Sequence, residues 1–424
     1  MGTQPVGEPV GLPEEPAGRL PSARLLRSNP TFRWFFAGRV VSHLGDGAAA
    51  TAVVLFVQRS RGTGVAVGTV LLAAGLPRLL GPLAGALVDR VDQRRLMIGC
   101  DAVQVVLFAI VAAVLPAYSL LVAFVATTAL VDTVFAPAGR SALPAFVADP
   151  DLPTANAWTG MALNLQVVVG PVIGAAMFAA AGLRGALLVD AGSFVVSILF
   201  LRTLPPLPPA PPEGDERRPG LAGSTWAGVR EGLRNPVARA VGLTLFLGVS
   251  LAAMTNVALV FLARDLGTGD LGYGLLSAGF GVGMLLASVV LVRLAARVAP
   301  GRLMALGWMA NGAGSVAVGA SGLFALTLPA QAVAGSGNGI TNVADTTLIH
   351  RHVPRGLQGR VFGLVGTAAF LGVSVASVAG GLLLDATSAR TVFLVAGGGS
   401  VAVAALAWFL LPKHARSSSR ASAP

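Results

Sequence analysis

Charged side chains are scarce in this sequence, at 12% of 424 residues against 54% hydrophobic. The mean hydropathy is +0.75. Soluble domains carry about 25% charged residues, so a water-soluble globule is excluded. Cysteine occurs once, at Cys100, which rules out an internal disulfide and any multi-cysteine metal site. Lysine also occurs once, at Lys413. No G-x-x-x-x-G-K-[ST] loop is present, which argues against ATP hydrolysis. No H-E-x-x-H is present either, which argues against metal chemistry. The first 30 residues are rich in Pro, Gly and Glu without an apolar core, so a cleavable signal peptide is not expected. The chain reads as a non-enzyme with no cofactor and no metal.

What the sequence does have is a series of apolar segments, each near the ~20 residues that cross a bilayer. They fall at 33–58, 66–88, 96–115, 119–141, 155–181 and 185–204, then 237–262, 271–292, 302–320, 323–349, 359–384 and 391–411. The expected fold is an all-α integral membrane protein with twelve transmembrane helices in two pseudo-symmetric halves of six. Its units are a tail (1–30), a first bundle (31–204), a linker (205–236), a second bundle (237–412) and a tail (413–424). The linker opens LPPLPPAPPEGDERRPG, where proline forbids helix and charge forbids membrane. Residues 226–234 are expected to form a short amphipathic segment at the membrane surface.

The net charge of +11 is unevenly placed. By these spans, 23 of the 30 Arg and Lys lie in the tails or beside the loops after even-numbered helices. Five (Arg59, Arg61, Arg184, Arg264, Arg390) lie at the opposite loops. That bias puts both termini in the cytoplasm of a cell-membrane protein. A nucleic-acid partner would need a basic patch on a folded domain, and none is expected.

Residues 81–97, GPLAGALVDRVDQRRLM, join an apolar Gly-rich helix to the next through a very short charged loop. Small residues at 81, 84, 85 and 86 allow another helix close. The stretch resembles the signature G-x-x-x-D-R-x-G-R-R between helices 2 and 3 of the major facilitator superfamily. Gly85, Asp89, Arg90 and Arg94 fall on the pattern, while Asp92 and Gln93 depart from it. The D-R-x-D-x-R-R form looks like the branch that holds siderophore and drug exporters. Asp89 to Met97 also aligns without gaps on Ala296 to Met304, with Ala296 in the place of Asp89. That is an internal repeat of the kind expected of two parallel halves. In the resembling branch the start of helix 11 faces the helix 2–3 loop, which makes Asp89 a latch at a positive helix end.

Ionisable groups in mid-membrane cost roughly 2.5–3.5 kcal/mol each on insertion scales, so each needs a partner or a task. Arg39, His43 and Asp46 are spaced four and three apart and share one face of helix 1. They read either as a self-satisfied polar set or as a site where Asp46 binds and releases a proton in each cycle. His43 titrates near neutrality when unperturbed, but a lone histidine is often structural. Asp132 in helix 4 is a second candidate proton carrier. The resemblance implies that helices 1, 4, 7 and 10 line a central cavity, which turns Asp46 and Asp132 toward one aqueous site. Arg140 and Asp101 are expected to join the 81–97 cluster in a gate.

In helix 5, Gly170-Pro171-x-x-Gly174 matches the core of the antiporter motif of drug exporters in the superfamily. Gln166 and Ala175 stand where the full motif has glycine. Its glycines are expected to contact a helix of the other half. Asn338, Asn342 and Asp345 form a stripe on helix 10 that either binds a polar substrate or anchors helix 11. Asn256 and Asn311 read as structural. Asp190 and Asp385 read as interfacial, and Arg78 reads as a group that snorkels to headgroups or meets a buried acid.

Together these readings give a monomeric, proton-driven exporter of small amphipathic molecules, with the lipid bilayer and protons as its other partners. The candidate substrates are drugs, antibiotics and other secondary metabolites, or a siderophore. One alternative is an importer of a sugar or organic acid with the same fold. A more distant one is a polytopic membrane enzyme, for which no nucleophile–base or metal set is found.

Overall fold

Asn29 starts the first long helix: its side chain accepts from the Phe32 N–H. Pro30 follows in the first turn, where its missing N–H leaves no bond unmade. Asn235 and Pro236 repeat the device at the seventh helix. Each Asn also donates its side-chain amide across the bundle at 2.7 Å, Asn29 to the Phe146 carbonyl and Asn235 to the His352 carbonyl. Both partners of the second pair are shifted by 206 positions from the first. The chain is thus built twice to one plan, a repeat visible in polar anchors as well as in the 89–97 and 296–304 alignment.

The computed structural model describes residues 24–88, 90–115, 117–208, 230, 232, 234–294 and 298–417. Asp89, Ala296, Arg297 and six of the nine residues of the proposed 226–234 surface segment lie outside them. Among the described residues the elements are helical throughout. We label α1 (Pro30–Arg61), α2 (64–88), α3 (Gln93–Val114), α4 (Tyr118–Ala142), α5 (152–181) and α6 (183–201). The rest are α7 (Pro236–Asp265), α8 (Gly269–Leu294), α9 (Pro300–Ala320), α10 (Phe324–His352), α11 (Arg355–Ala386) and α12 (Ala389–Leu410).

By length and composition, nine of the described helices suit a bilayer crossing, counting 149–201 as one. That 53-residue stretch is broken at Gly182 (φ 64°, ψ −167°), a conformation reserved for glycine, and so makes two segments. In α2 the residue Pro77 lacks a donor, and the helix tightens to a 3₁₀ turn over Leu76–Leu80 before resuming. Asp92 caps α3 through the Arg95 N–H at 2.9 Å. Its other oxygen accepts from the Leu207 N–H at 3.0 Å, which ties this loop to the start of the linker.

The end of the bundle that carries the tails and the 2–3 loop is here called the basic end, and the other the far end. At the far end the connections are short: 62–63, 115–117, Gly182, 266–268, 321–323 and 387–388.

Packing divides into two groups. Helix α1 lies against α5 and α6, with α3 and α4 beside them; α9 packs on α10 and α12, with α7, α8 and α11 completing the second group. The groups meet along α2–α11 and α5–α8. The α2–α11 seam is closest at the far end. Gly64 rests on the backbone of Gly381, Gly68 on that of Ser377, and Gly75 on the Ser374 hydroxyl. Arg78 then lies over Phe370, 5.9 Å from its ring centre. Beyond that point Gly81 and Gly85 of α2, and Gly359, Gly363 and Gly366 of α11, have no atom near the space a Cβ would take. The expected close neighbour of Gly81 and Gly85 is therefore missing in this conformation, because α2 and α11 diverge past Arg78. On the other seam, Gly274 and Gly281 of α8 fit against Pro171 and Val168 of α5. The bundle is a wedge, shut at the far end and open at the basic end.

Two polar contacts reinforce the shut end. Asp385 of α11 accepts from the backbone N–H groups of Gly64 and of Val65 (3.0 Å), capping α2 from the opposite half. Arg59 of α1 pairs with Asp270 of α8 while stacking on Phe178. Asp385 thus holds the interfacial position expected of it, with a defined partner.

Charged hydrogen bonds contribute about 1.5–3 kcal/mol each, enough to bias a two-state equilibrium roughly tenfold or more. In an Asp385→Ala, Arg59→Ala protein carrying spin labels at 61 and 387 on a Cys100→Ala background, the far-end distance distribution should gain a longer component. An unchanged distribution would mean that the glycine seams alone hold the far end.

Candidate functional site

The wedge opens into a cavity of about 430 Å³, within the range of drug-sized pockets. Its walls carry Arg39, His43 and Asp46 from α1, Arg78 from α2, Asp101 from α3, and Asp132 and Arg140 from α4. The helical spacing of the α1 triad aims all three at this space. Arg39 Nη2 lies 2.8 Å from His43 Nε2. A guanidinium can only donate, so Nε2 accepts and the ring proton sits on Nδ1. That nitrogen is 3.9 Å from the Asp46 carboxylate, which keeps 22% of its side chain open to the cavity. Arg39 also stacks on Phe135 of α4, 4.5 Å from the ring centre.

Asp132 accepts from Gln104 Nε2 at 2.9 Å and faces the fields of Arg78 and Arg39. Among the described residues neither arginine comes within ion-pair distance of an acid here. Asp46, Asp101 and Asp132 share the field of Arg39 without contact. Arg78 thus makes no ion pair with a buried acid among the described residues; it lies over Phe370 and acts on Asp132 only through space.

A smaller hollow of about 170 Å³ continues from this site toward the far end. Asp46, Arg78, Asp132 and Gln166 border it together with Val53, Val54, Phe108 and Phe124. The acids stand where the open cavity gives way to an apolar one, and a change in water access there acts directly on their charge state.

The structure departs from the sequence expectations at several positions. Asp101 is buried, lines this cavity and is not part of a loop cluster. Arg140 lines the same cavity and donates to the Ala136 carbonyl of its own helix at 3.4 Å. Arg94 donates to the Arg202 carbonyl at 2.7 Å, and Arg90 is exposed. The pairing proposed for Asp89 lies outside the described residues.

Asp190, read as interfacial, is wholly buried. It accepts from Ser193 at 2.9 Å and presses on Gly45 of α1, beside Asp46. Its other oxygen has no partner among the described residues. The available signal was a carboxylate in the apolar run LLVDAGSF, facing a glycine one position before Asp46.

Gly170 and Gly174 do not meet the other half. They pack on Gly47, Ala48 and Thr51 of α1, and Pro171 and its neighbours make the contact to α8. Gln166, in place of the motif glycine, lies against Gly47 and lines the same cavity as His43. The α10 stripe also separates. Asn338 accepts from Asn342 at 3.2 Å and lines a cavity in the second half with Asn256. Asp345, two turns and about 10 Å further along, is buried with both oxygens unpartnered among the described residues. Asn311 ties α9 to α10 through the Ala334 carbonyl at 3.0 Å.

The sequence profile of the Major Facilitator Superfamily matches residues 35–255 and again residues 241–424. The chain belongs to this superfamily. It is a multi-pass membrane transporter of that family, whose members carry substrates and are not enzymes. Among curated relatives it is similar to the enterobactin exporter EntS of Escherichia coli O1:K1 / APEC, 26% identical over 351 residues, 80% of this chain and 82% of that one. The counterpart from E. coli O6:K15:H31 (strain 536 / UPEC) is 27% identical over 354 residues, with the same coverage.

Among solved structures, the nucleoside transporter NupG superposes with a TM-score of 0.72 at 14% identity, covering 90% of this chain and 98% of that one. A bacterial homologue of the human lysosomal transporter Spinster, in an inward-facing and unoccupied conformation, gives 0.68 at 12% identity, covering 90% and 95%. These two likenesses establish the shared superfamily fold.

A Cβ at Gly170 would lie 2.9 Å from Gly47 Cα, between two backbones that position Asp46. Gly170→Ala should therefore lower the thermal midpoint of the purified protein by an amount matching about 1–3 kcal/mol of overpacking. Gly85→Ala, with open space around it, should leave the midpoint unchanged. Equal midpoints for both would remove the α1–α5 contact from the account.

Proposed function

We propose that this chain exports small amphipathic molecules by proton antiport with alternating access. The candidate cargoes are a drug, an antibiotic or other secondary metabolite, or a siderophore. The observation that carries the reading is the group of carboxylates, Asp46 and Asp132 foremost, at the junction of a cavity open at the basic end and an apolar hollow beyond it. A proton taken up there removes the charge that keeps water at the junction. Its release restores the electrostatic hold of Arg39 and Arg78 on the acids. Either change alters the relative free energy of the two wedge conformations. The similarity to enterobactin exporters favours outward movement and a bacterial inner membrane as the setting.

In this reading both tails are cytoplasmic, the two six-helix bundles (31–204 and 237–412) rock as units, and the protein works as a monomer. The open basic end then faces the cytoplasm and receives cargo there. Closure would bring Gly81 and Gly85 toward α11 and engage the gate formed by Asp89, Arg90, Arg94 and Arg140. Asp101 acts with the cavity acids. A membrane potential contributes about 2.3 kcal/mol per charge per 100 mV to any step that moves net charge across.

Everted vesicles with a pH-reporting dye inside test the mechanism. Candidate drugs and siderophores are added one at a time to wild type, Asp46→Asn and Asp132→Asn. Antiport predicts proton release with wild type and its loss, tenfold or more, in the variant that removes the coupling acid. Movement of a compound without protons, untouched by either variant, would replace this reading with a facilitator or an importer. The solved nucleoside transporter of the same fold keeps that second reading in view.

A further inference from the structure

The second half holds a cavity of its own, about 200 Å³, framed by α7, α8, α9, α10 and α11. Its polar lining is neutral: Thr255, Asn256, Asn311, Ser315, Gln331 and Asn338 reach it, and among the described residues no charged side chain does. Phe280 supplies an aromatic wall. This is the reverse of the first half, whose cavity carries arginine, histidine and aspartate.

Two features mark the space as a binding site and not a packing flaw. Gln331 is only 4% exposed, lines the cavity, and makes no hydrogen bond to any described residue. Asn256 also lines the space without a protein partner among the described residues. A buried amide left unpaired costs about 1–3 kcal/mol, so Gln331 needs an occupant that both donates and accepts, and Asn256, which is exposed, stands open to the same occupant. The other amides are committed elsewhere, Asn311 to the Ala334 carbonyl and Asn338 to Asn342. Gln331 and Asn256 are the pair left to recognise something.

The same lining excludes an ion. A full charge here would lose its hydration with no counter-charge to replace it. A neutral group with donors and acceptors would satisfy both amides at once. The volume suits one ring with its substituents, set against Phe280.

We propose that this cavity is a subsite for an uncharged, ring-sized hydrogen-bonding part of the cargo, such as a carboxamide or hydroxyl-bearing ring. Gln331 and Asn256 are its recognising residues. The assignment as a cargo subsite rests on the transport reading above. The division of labour is then spatial: the first half handles charge, and the second reads neutral polarity. An amphipathic compound with a carboxamide- or hydroxyl-bearing ring is selected over one that is purely cationic or purely apolar.

The full-length protein in nanodiscs tests this with three probes of one shape: benzamide (neutral), benzoate (anion) and benzamidine (cation). Binding is followed by ligand-observed NMR in wild type, Gln331→Met, Asn256→Leu and Asp132→Asn. The expected result is that benzamide binds wild type and Asp132→Asn alike, and that its affinity falls tenfold or more in Gln331→Met or Asn256→Leu. Binding of the two ions should not respond to either substitution. Two variants at separate helices keep the test open if one fails to fold, as judged by size-exclusion profile.

Benzamide binding that is absent in wild type, or indifferent to both amides, overturns the subsite. So does an ion whose binding depends on Gln331. Cargo transport measured on the same proteins reports separately on the exporter reading, since loss of transport by Asp46→Asn says nothing about benzamide. The two ideas can therefore fail independently.

Discussion

The contact on which the rest depends is the seam between α2 and α11. Gly64, Gly68 and Gly381 bring two helix backbones together with no side chain between them. In lipid there is little hydrophobic gain from joining two apolar helices, so close packing and interhelical hydrogen bonds must supply the attraction. Asp385 adds the second kind, by accepting from backbone donors that a helix start otherwise leaves free. Because this contact ends at Arg78 and Phe370, everything beyond it is free to part. The charged cavity exists because the seam stops where it does.

Within that frame the two halves carry different chemistry on one plan. The paired anchors at Asn29 and Asn235 hold equivalent helices in equivalent places. Yet the cavity of one half is lined by charged groups and that of the other by neutral amides. A duplicated scaffold permits this, because each half packs chiefly on its own helices and only two seams must stay complementary. Arg39 is central to the charged half. It bonds His43, stacks on Phe135 and sits in the field of three acids without touching any. A direct ion pair would hold one acid fast, whereas this arrangement leaves each acid responsive to its neighbours.

Much of this was legible in the sequence, for physical reasons. Long apolar segments and biased arginines follow from the solvent, so the helices and the α1 triad could be placed from pattern alone. Helix-periodic spacing was enough to put Arg39, His43 and Asp46 on one face. Depth was harder to read. Asp190 reads as an end residue if helix 6 starts at 185 after a loop. The loop is one residue, Gly182, and Asp190 lies about 10 Å into the helix. Asp101, five residues into the expected helix 3, reads as part of the loop cluster, but it lines the cavity. Partner choice was harder still. Gly170 and Gly174 announce a close approach, but nothing in a local motif says which helix comes close. The identity of that partner, α1, is a property of the packed bundle.

The far-end connections have a consequence for how that end of the bundle can open. None of those between described helices exceeds three residues, and one is a single glycine. No segment there is long enough to fold down over a cavity as a lid. Opening at that end has to come from whole helices tilting apart, and closing from their return. That end therefore carries no flexible flap among the described connections, and selection of cargo falls to the cavity walls within.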